Sequence, residues 1–439
     1  MGTDLFKMGT VPGFTVFHEC EQVKEIDMRL MISSGGIVDY RRPNQGISDL
    51  RKAGFASVCM ESPVDIVSRL EGFQTETFVS LQDETFSETV RQTAAKGEIA
   101  LLSAPCLRSA TLGQLKKADA KACREALMER TLDTLALCEK AEIPALLVEP
   151  VSFGLTDAAE IEAFNTLFFI RLAAACRKKG TKILLTNGVT SVNGHYRRGF
   201  LSDGPRAARV LDDLNEQCRN RFAFCLDAGA ASLSGQDMED LAAALGSRIA
   251  AVRVSETDGK TEKRYLPFAA PVETDWTAFF RGLRTAGFDG DLILDGGATI
   301  GAVSPLIKPA ILSFAKAVAD YFVLQLELEQ EVRKHEKLVL FGAGNMCRNF
   351  LLSYGDIVHP LFTVDNNKAL WGTTFEGLAV KAPEELKNLP AGTAVCICNT
   401  YYREIEAQLQ EMGITDYFFF NDEYPPVLPY ERLKRGLIE

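Results

Sequence analysis

Between residues 29 and 294 the chain passes eight times from a short apolar run to a longer connecting stretch, and this alternation constrains the fold more than any other feature. The runs are RLMIS (29–33), FASVCM (55–60), EIALLS (98–103), ALLV (145–148), KILL (182–185), FAFCL (222–226), IAAVRV (249–254) and DLIL (291–294). Continuous apolar runs of this length mark strands covered on both faces, as parallel sheets require. Helical patterns at 46–54, 120–141, 157–179, 205–218, 238–245 and 276–286 fall between them. Alternating units imply right-handed parallel crossovers, and eight of them close a (β/α)8 barrel. The fold class is therefore α/β.

A chain of 439 residues is too long for one core. A long helical pattern follows residue 304, and its second half, LQLELEQEVRKHEK, is too charged to stay on a barrel surface. Beyond it, KLVLFGAGNMCRNFLLSYG reads as strand, glycine turn and helix, and LFTVD, AVCICN and DYFFF read as further strands. The expected organisation is a barrel over 1–304, a connecting helix over 305–336, and a small doubly wound Rossmann-like domain over 337–439 with four parallel strands.

Charge and composition narrow the function. A net charge of −11 provides no basic footprint for nucleic acid or an anionic membrane. The start, MGTDLFKMGTVPGF, lacks a leader pattern and the hydroxyl of a myristoylation signal, and an uncharged run of about 18 residues is missing from the sequence. Eleven scattered cysteines, among them Cys396 and Cys398 in VCICN, read as free core thiols. A cytoplasmic protein is expected, with a small molecule rather than nucleic acid or membrane as partner. A homo-oligomer is left open.

In a barrel the working residues end the strands. Asp227 ends FAFCLD and Glu149 ends ALLVE. The loop TNGVTSVNGHYRRGFLSDG after the fifth strand offers Asn187, His195 and Arg197 to a substrate, the arginine suiting an anionic one. The loop SETDGKTEKRYLPF after the seventh offers Glu256, while its other charges, Arg264 included, read as solvated.

Three stretches, FAFCLDAGAA, RIAAVRVSETDG and YLPFAAPVETDWTAFFRGLRTAGFDGDLILDGG, resemble the sugar phosphate isomerase/epimerase superfamily with its xylose isomerase-like barrel. The resemblance implies a divalent cation held by a glutamate, an aspartate, a histidine and a glutamate on strands five to eight. It also implies proton transfer next to a carbonyl. At the matching positions this chain has Thr186, Asp227, Arg253 and Asp295. An arginine has no lone pair for a metal, so no metal and no cofactor are expected in the barrel. Asp227, Arg253, Asp295 and Glu149 are the catalytic candidates, with Arg253 as the fixed positive charge. Two functions stay open: a sugar, sugar phosphate or sugar acid isomerase or epimerase, and a non-catalytic carbohydrate- or nucleotide-sugar-binding protein.

The stretch VDNNKALWGTTFEGLAVKAPEEL resembles a Rossmann-like module attached to enzymes of sugar modification. That implies a nucleotide or nucleotide sugar at Gly342, Gly344 and Asp365, where a glycine turn precedes a helix and an acid ends the next strand.

Overall fold

The computed structural model describes residues 28–39, 42–62, 84–106, 120–155, 157–177, 180–192, 194–270, 274–355 and 357–420. The amino-terminal stretch MGTDLFKMGTVPGF lies outside them.

Ten strands come first: β1 Leu30–Ser33, β2 Ser57–Glu61, β3 Ile99–Ser103, β4 Ala145–Val148, β5 Lys182–Thr186, β6 Val189–Val192, β7 His195–Arg198, β8 Phe222–Asp227, β9 Ile249–Val254 and β10 Asp291–Leu294. Eight close on themselves in the order β1-β10-β9-β8-β5-β4-β3-β2, with every neighbour parallel. The expected barrel is present. β6 and β7 form a separate antiparallel hairpin inserted after β5.

Strand alternation sorts the barrel into two environments. Ile32, Val58, Leu102, Leu146, Leu185, Phe224, Val252 and Leu294 point outward and pack against the helices. Met31, Cys59, Leu101, Leu147, Leu184, Cys225, Ala251 and Ile293, one from each strand, form an apolar layer inside. Two residues further along each strand, on the same face, stand Ser33, Glu61, Ser103, Glu149, Thr186, Asp227, Arg253 and Asp295. The interior thus changes within one layer from wholly apolar to wholly polar, at the carboxyl end of the barrel. Burial pushes the thiols just below the ring upward, that of Cys225 to about 12, so they stay neutral.

The long helix runs from Lys308 to Lys334. Leu312, Ala315, Val318 and Phe322 pack into the outer core of the barrel, whereas Leu328 and Val332 belong to the core of the next sheet. That sheet has six strands, β11 Lys337–Phe341, β12 Thr363–Val364, β13 Thr374–Phe375, β14 Leu378–Lys381, β15 Thr393–Ile397 and β16 Tyr417–Phe419, in the order β13-β14-β12-β11-β15-β16. It is mixed rather than four parallel strands, because β13 turns back antiparallel on β14 through Glu376 and Gly377, both at positive φ. Separate apolar clusters pack within it, one around Leu338, Leu340 and Phe350 and one around Val339, Phe341 and Ile405. Among the described residues no helix is long and apolar enough to cross a membrane.

Candidate functional site

Asp227 occupies the last position of β8 and also caps the short helix Ala228–Leu233, its Oδ1 accepting from the Ala230 N–H at 2.9 Å. The turn is built of small residues for a steric reason. A Cβ on Gly229 would come within 2.2 Å of Ser255 Oγ. Asn187, just past β5, holds the strand end in place: its Oδ1 accepts from Asp227 N–H (2.8 Å) and its Nδ2 donates to Asp227 O (3.0 Å).

Arg253, in register with Asp227 on the neighbouring strand, fills the centre of the polar ring. Its Nε stands 3.0 Å from Asp227 Oδ2, its Nη2 donates to Glu149 Oε1 at 2.9 Å, and its Nη1 lies 3.9 Å from Asp295 Oδ2. A second guanidinium comes from the loop after β9. Arg264 Nη1 donates to Asp227 Oδ1 at 2.6 Å, its Nε is 3.5 Å from Asp295 Oδ2, and its Nη2 is 3.6 Å from Glu149 Oε1. Both arginines touch the same three acids.

Burial alone would raise the Asp227 carboxyl, but Arg264, Arg253 and the Ala230 N–H outweigh it and hold the group below the usual carboxylate range. Desolvation likewise disfavours the charge on Arg253, and the surrounding acids overcome it and lock the charge on. Asp227 is consequently a poor proton acceptor. Glu149 lies at the edge of the cluster, its side chain 22% exposed against 1% for Asp227.

A cleft of about 320 Å³ opens above the ring, with Glu149, Asp227 and Arg264 among its polar lining and Phe153, Leu155 and Leu233 among its apolar lining. It is the size of a small ligand pocket. Asn187 and Thr186 line it as well.

Three candidates named from sequence stand elsewhere. Val189 and Ser191 of the inserted hairpin line the cleft, and cross-strand pairing sets Arg198 and Tyr196 opposite them. Strand alternation therefore leaves His195 and Arg197 on the other, exposed face. Glu256 follows the inward Arg253 by three residues and so has the opposite parity. It is buried beneath its own loop, where Thr274 Oγ1 donates to Oε1 and the Glu256 backbone pairs with Tyr265. Burial pushes its carboxyl up to about 7, despite hydrogen bonds from Thr274, Phe268 and Trp276.

Two charged residues of this cluster escape the sequence reading. Arg264 stands among the solvated charges of its loop, and Glu61, which accepts from Ser33 Oγ at 2.8 Å, lies one residue past the apolar run of the second strand. The signal for Glu61 is its spacing, two residues after the inward Cys59.

The place between Glu149, Asp227 and Asp295 holds the Arg253 guanidinium at the distances above. Among the described residues no group of three His, Cys, Asp or Glu side chains is arranged to hold a metal.

In the second sheet, Gly342 adopts φ of 130° and a Cβ there would lie 2.4 Å from Cys398 O, so the turn requires glycine. Asp365 does not reach outward: its Oδ2 accepts from Ala343 N–H (2.9 Å) and its Oδ1 from Asn367 N–H (2.7 Å). One amide of the loop expected to cradle phosphate is thereby taken by protein. Gly344 begins the helix Asn345–Tyr354 with no side-chain cap.

Residues 334–418 match the model of a family described as C2185-like, N-terminal. The match is confined to the second sheet and the end of the long helix. No curated protein matches the sequence. Similar solved structures include an L-ribulose 3-epimerase (16% identity, 70% of this chain and 97% of that one, TM-score 0.49). A D-tagatose 3-epimerase-like protein is similar over 70% of this chain and 99% of its own (14%, TM-score 0.47). A xylose isomerase domain protein from Alicyclobacillus acidocaldarius is similar over 69% and 99% (15%, TM-score 0.45). The barrel itself is shown by its strand order and register.

Proposed function

We propose that the barrel binds a small carbohydrate and moves a proton at the carbon next to its carbonyl, as a sugar isomerase or epimerase does, with guanidinium groups in place of a cation. The observation that carries this is the pair Arg253 and Arg264 gripping Asp227 at the floor of the cleft. Arg264 lines the cleft and presents a permanent positive charge to a carbonyl oxygen there. Glu149 is the acid best placed to take the proton, since its side chain is partly exposed in the cleft, whereas Asp227 and Asp295 are buried against the arginines. In the step, Glu149 accepts the proton from carbon and the electron pair moves onto the carbonyl oxygen beside Arg264; Glu149 then returns the proton to the former carbonyl carbon, while the hydroxyl proton of the first carbon passes to the former carbonyl oxygen and leaves a carbonyl behind. No resident metal takes part. Asp227 and Asn187 are positioning residues.

The same contacts favour a second reading, a barrel that only binds, because all three acids around Arg253 are committed to ion pairs. The sheet after the long helix is read as a Rossmann-like nucleotide- or nucleotide-sugar-binding domain, with 1–304 and 337–439 as the two domains joined by 305–336. A cytoplasmic setting suits the free thiols of the described cysteines.

Incubation of the full chain with aldoses and ketoses in deuterium oxide, followed by proton NMR, tests the catalytic reading. Loss of the signal at the carbon next to the carbonyl, abolished by Glu149→Gln, is expected. Sugar binding without exchange would favour the second reading, and neither binding nor exchange would refute both.

A further inference from the structure

Glu256 is not part of the cleft lining, yet one wall of the cleft is built on it. Ser255, Thr257, Glu262, Lys263 and Arg264 line the cleft from the loop after β9, and Glu256 stands at the root of that loop. Its backbone there makes both bonds of a bridge to Tyr265: Glu256 N–H donates to Tyr265 O at 2.8 Å, and Tyr265 N–H donates to Glu256 O at 3.0 Å. Above the bridge the loop bonds to itself. Asp258 accepts from Lys260 N–H (2.9 Å), Thr261 N–H (2.6 Å) and the Tyr265 hydroxyl (3.3 Å). The place of this turn over the barrel is therefore set by its two legs. On the outgoing leg Arg264 O accepts from Ala298 N–H (2.8 Å), and Leu266 N–H donates to Thr299 Oγ1 (3.0 Å).

On the incoming leg the anchor is the Glu256 side chain. Its buried carboxyl accepts from the Thr274 hydroxyl, from the Thr274 and Phe268 N–H groups and from the Trp276 indole. Thr274 Oγ1 also lies 3.2 Å from Ser232 Oγ, on the helix that Asp227 caps. A brace thus runs behind the cleft from the loop that carries Arg264 to the helix that starts at Asp227. In front of it Arg264 and Asp227 meet as an ion pair at 2.6 Å. Among the described residues every partner of the Glu256 carboxyl is uncharged. Asp258 is engaged within its own loop, Arg264 with Asp227, and Asp275 with Ala278 N–H at 2.9 Å.

We infer that Glu256 is a positioning residue of the cleft, which without touching a ligand fixes the loop wall and so the place of the Arg264 guanidinium. This rests on, and deepens, the carbohydrate reading, in which Arg264 faces the carbonyl oxygen. Such a brace also responds to protons. Burial raises the carboxyl to about 7, whereas a lifted loop returns it to water and to the ordinary 4.5. Lifting the loop is thereby linked to loss of a proton, and becomes easier by roughly tenfold between about pH 6 and about pH 8.

Hydrogen exchange of the full chain, read by mass spectrometry and corrected for the intrinsic rate at each pH, tests this through the Glu256 and Tyr265 amides. Wild-type protection there should fall by roughly tenfold over that interval while the amides of β8 stay level. Glu256→Gln should keep the protection that the wild type has at the lower pH, and Glu256→Ala should lose it at both. At the higher pH, phenylglyoxal, which modifies accessible guanidiniums, should reach Arg264 fastest in Glu256→Ala, more slowly in the wild type and slowest in Glu256→Gln, as read by peptide mapping. Melting curves confirm folding, and if the alanine variant does not fold, the comparison of wild type with Glu256→Gln decides alone. The same protection in every folded protein at both pH values, or one rate of Arg264 modification in all of them, would overturn the inference. Neither measurement involves a sugar, so this failure and that of the carbohydrate reading are told apart.

Discussion

Arg253 and Asp227 are register partners on adjacent strands, with Nε and Oδ2 3.0 Å apart and both side chains almost wholly buried. Taking either out of water is costly, and what matters for stability is what the survivor is left with. Arg253→Met would remove one of the two guanidiniums that touch Glu149, Asp227 and Asp295. A loss of about 3–5 kcal/mol in urea unfolding is expected. Asp227→Asn leaves Arg253 and Arg264 with Glu149 and Asp295, so it should cost less, about 1.5–3 kcal/mol, the value of a hydrogen bond to a charged group. Equal losses from the two variants would show that Glu149 and Asp295 do not make up for the lost carboxylate.

On the reading proposed above Arg253 takes the place of a cation, and its removal should open that place. The wild-type melting temperature should not respond to manganese, magnesium or cobalt, whereas Arg253→Ala opens a space bordered by Glu149, Asp227 and Asp295. A cation that binds only the folded state must then raise the melting temperature. A clear rise in the wild type would contradict the geometry of the ring.

Much of this site was legible in the sequence, and the parts that were not share a cause. The eight apolar runs gave the barrel because parallel strands covered on both faces leave a simple pattern. Asp227 and Glu149 were legible because each ends such a run, whereas Arg253 and Asp295 were reached through the resemblance of the strands that carry them. Arg264 was not, because a loop charge enters the ring only through the path of its loop, and nothing in SETDGKTEKRYLPF distinguishes it from its solvated neighbours. Glu256 and His195 were misplaced by parity: one residue along a strand turns a side chain to the other face. The hairpin of β13 and β14 was too short, at two and four residues, to leave a strand pattern.

Gly229 permits the closeness of Asp227 to the loop after β9. Gly229→Ala would drive a methyl group to within 2.2 Å of Ser255 Oγ and 3.3 Å of Arg264 Nη1. Overpacking of this kind costs about 1–3 kcal/mol. Because the side chain displaced is one that lines the cleft, sugar affinity should fall by more than the change in stability alone would explain. Unchanged titration curves in a folded variant would mean that Arg264 does not touch the ligand.

Glu256 offers the clearest test by pH. Its carboxyl is raised from the ordinary 4.5 to about 7, chiefly by burial beneath the loop that carries Arg264. The fold therefore prefers it protonated. Its contribution is fully present below the unfolded value and is lost as pH rises through about 7, a change of up to about 3 kcal/mol. Glu256→Gln keeps the hydrogen-bonding shape without the charge. Relative to wild type, the variant should gain stability between about pH 5 and about pH 8, as followed by urea unfolding at both. A wild type that gains on the variant over the same interval would mean that the loop is held by an ionised Glu256, and that the donors from Thr274, Phe268 and Trp276 outweigh burial.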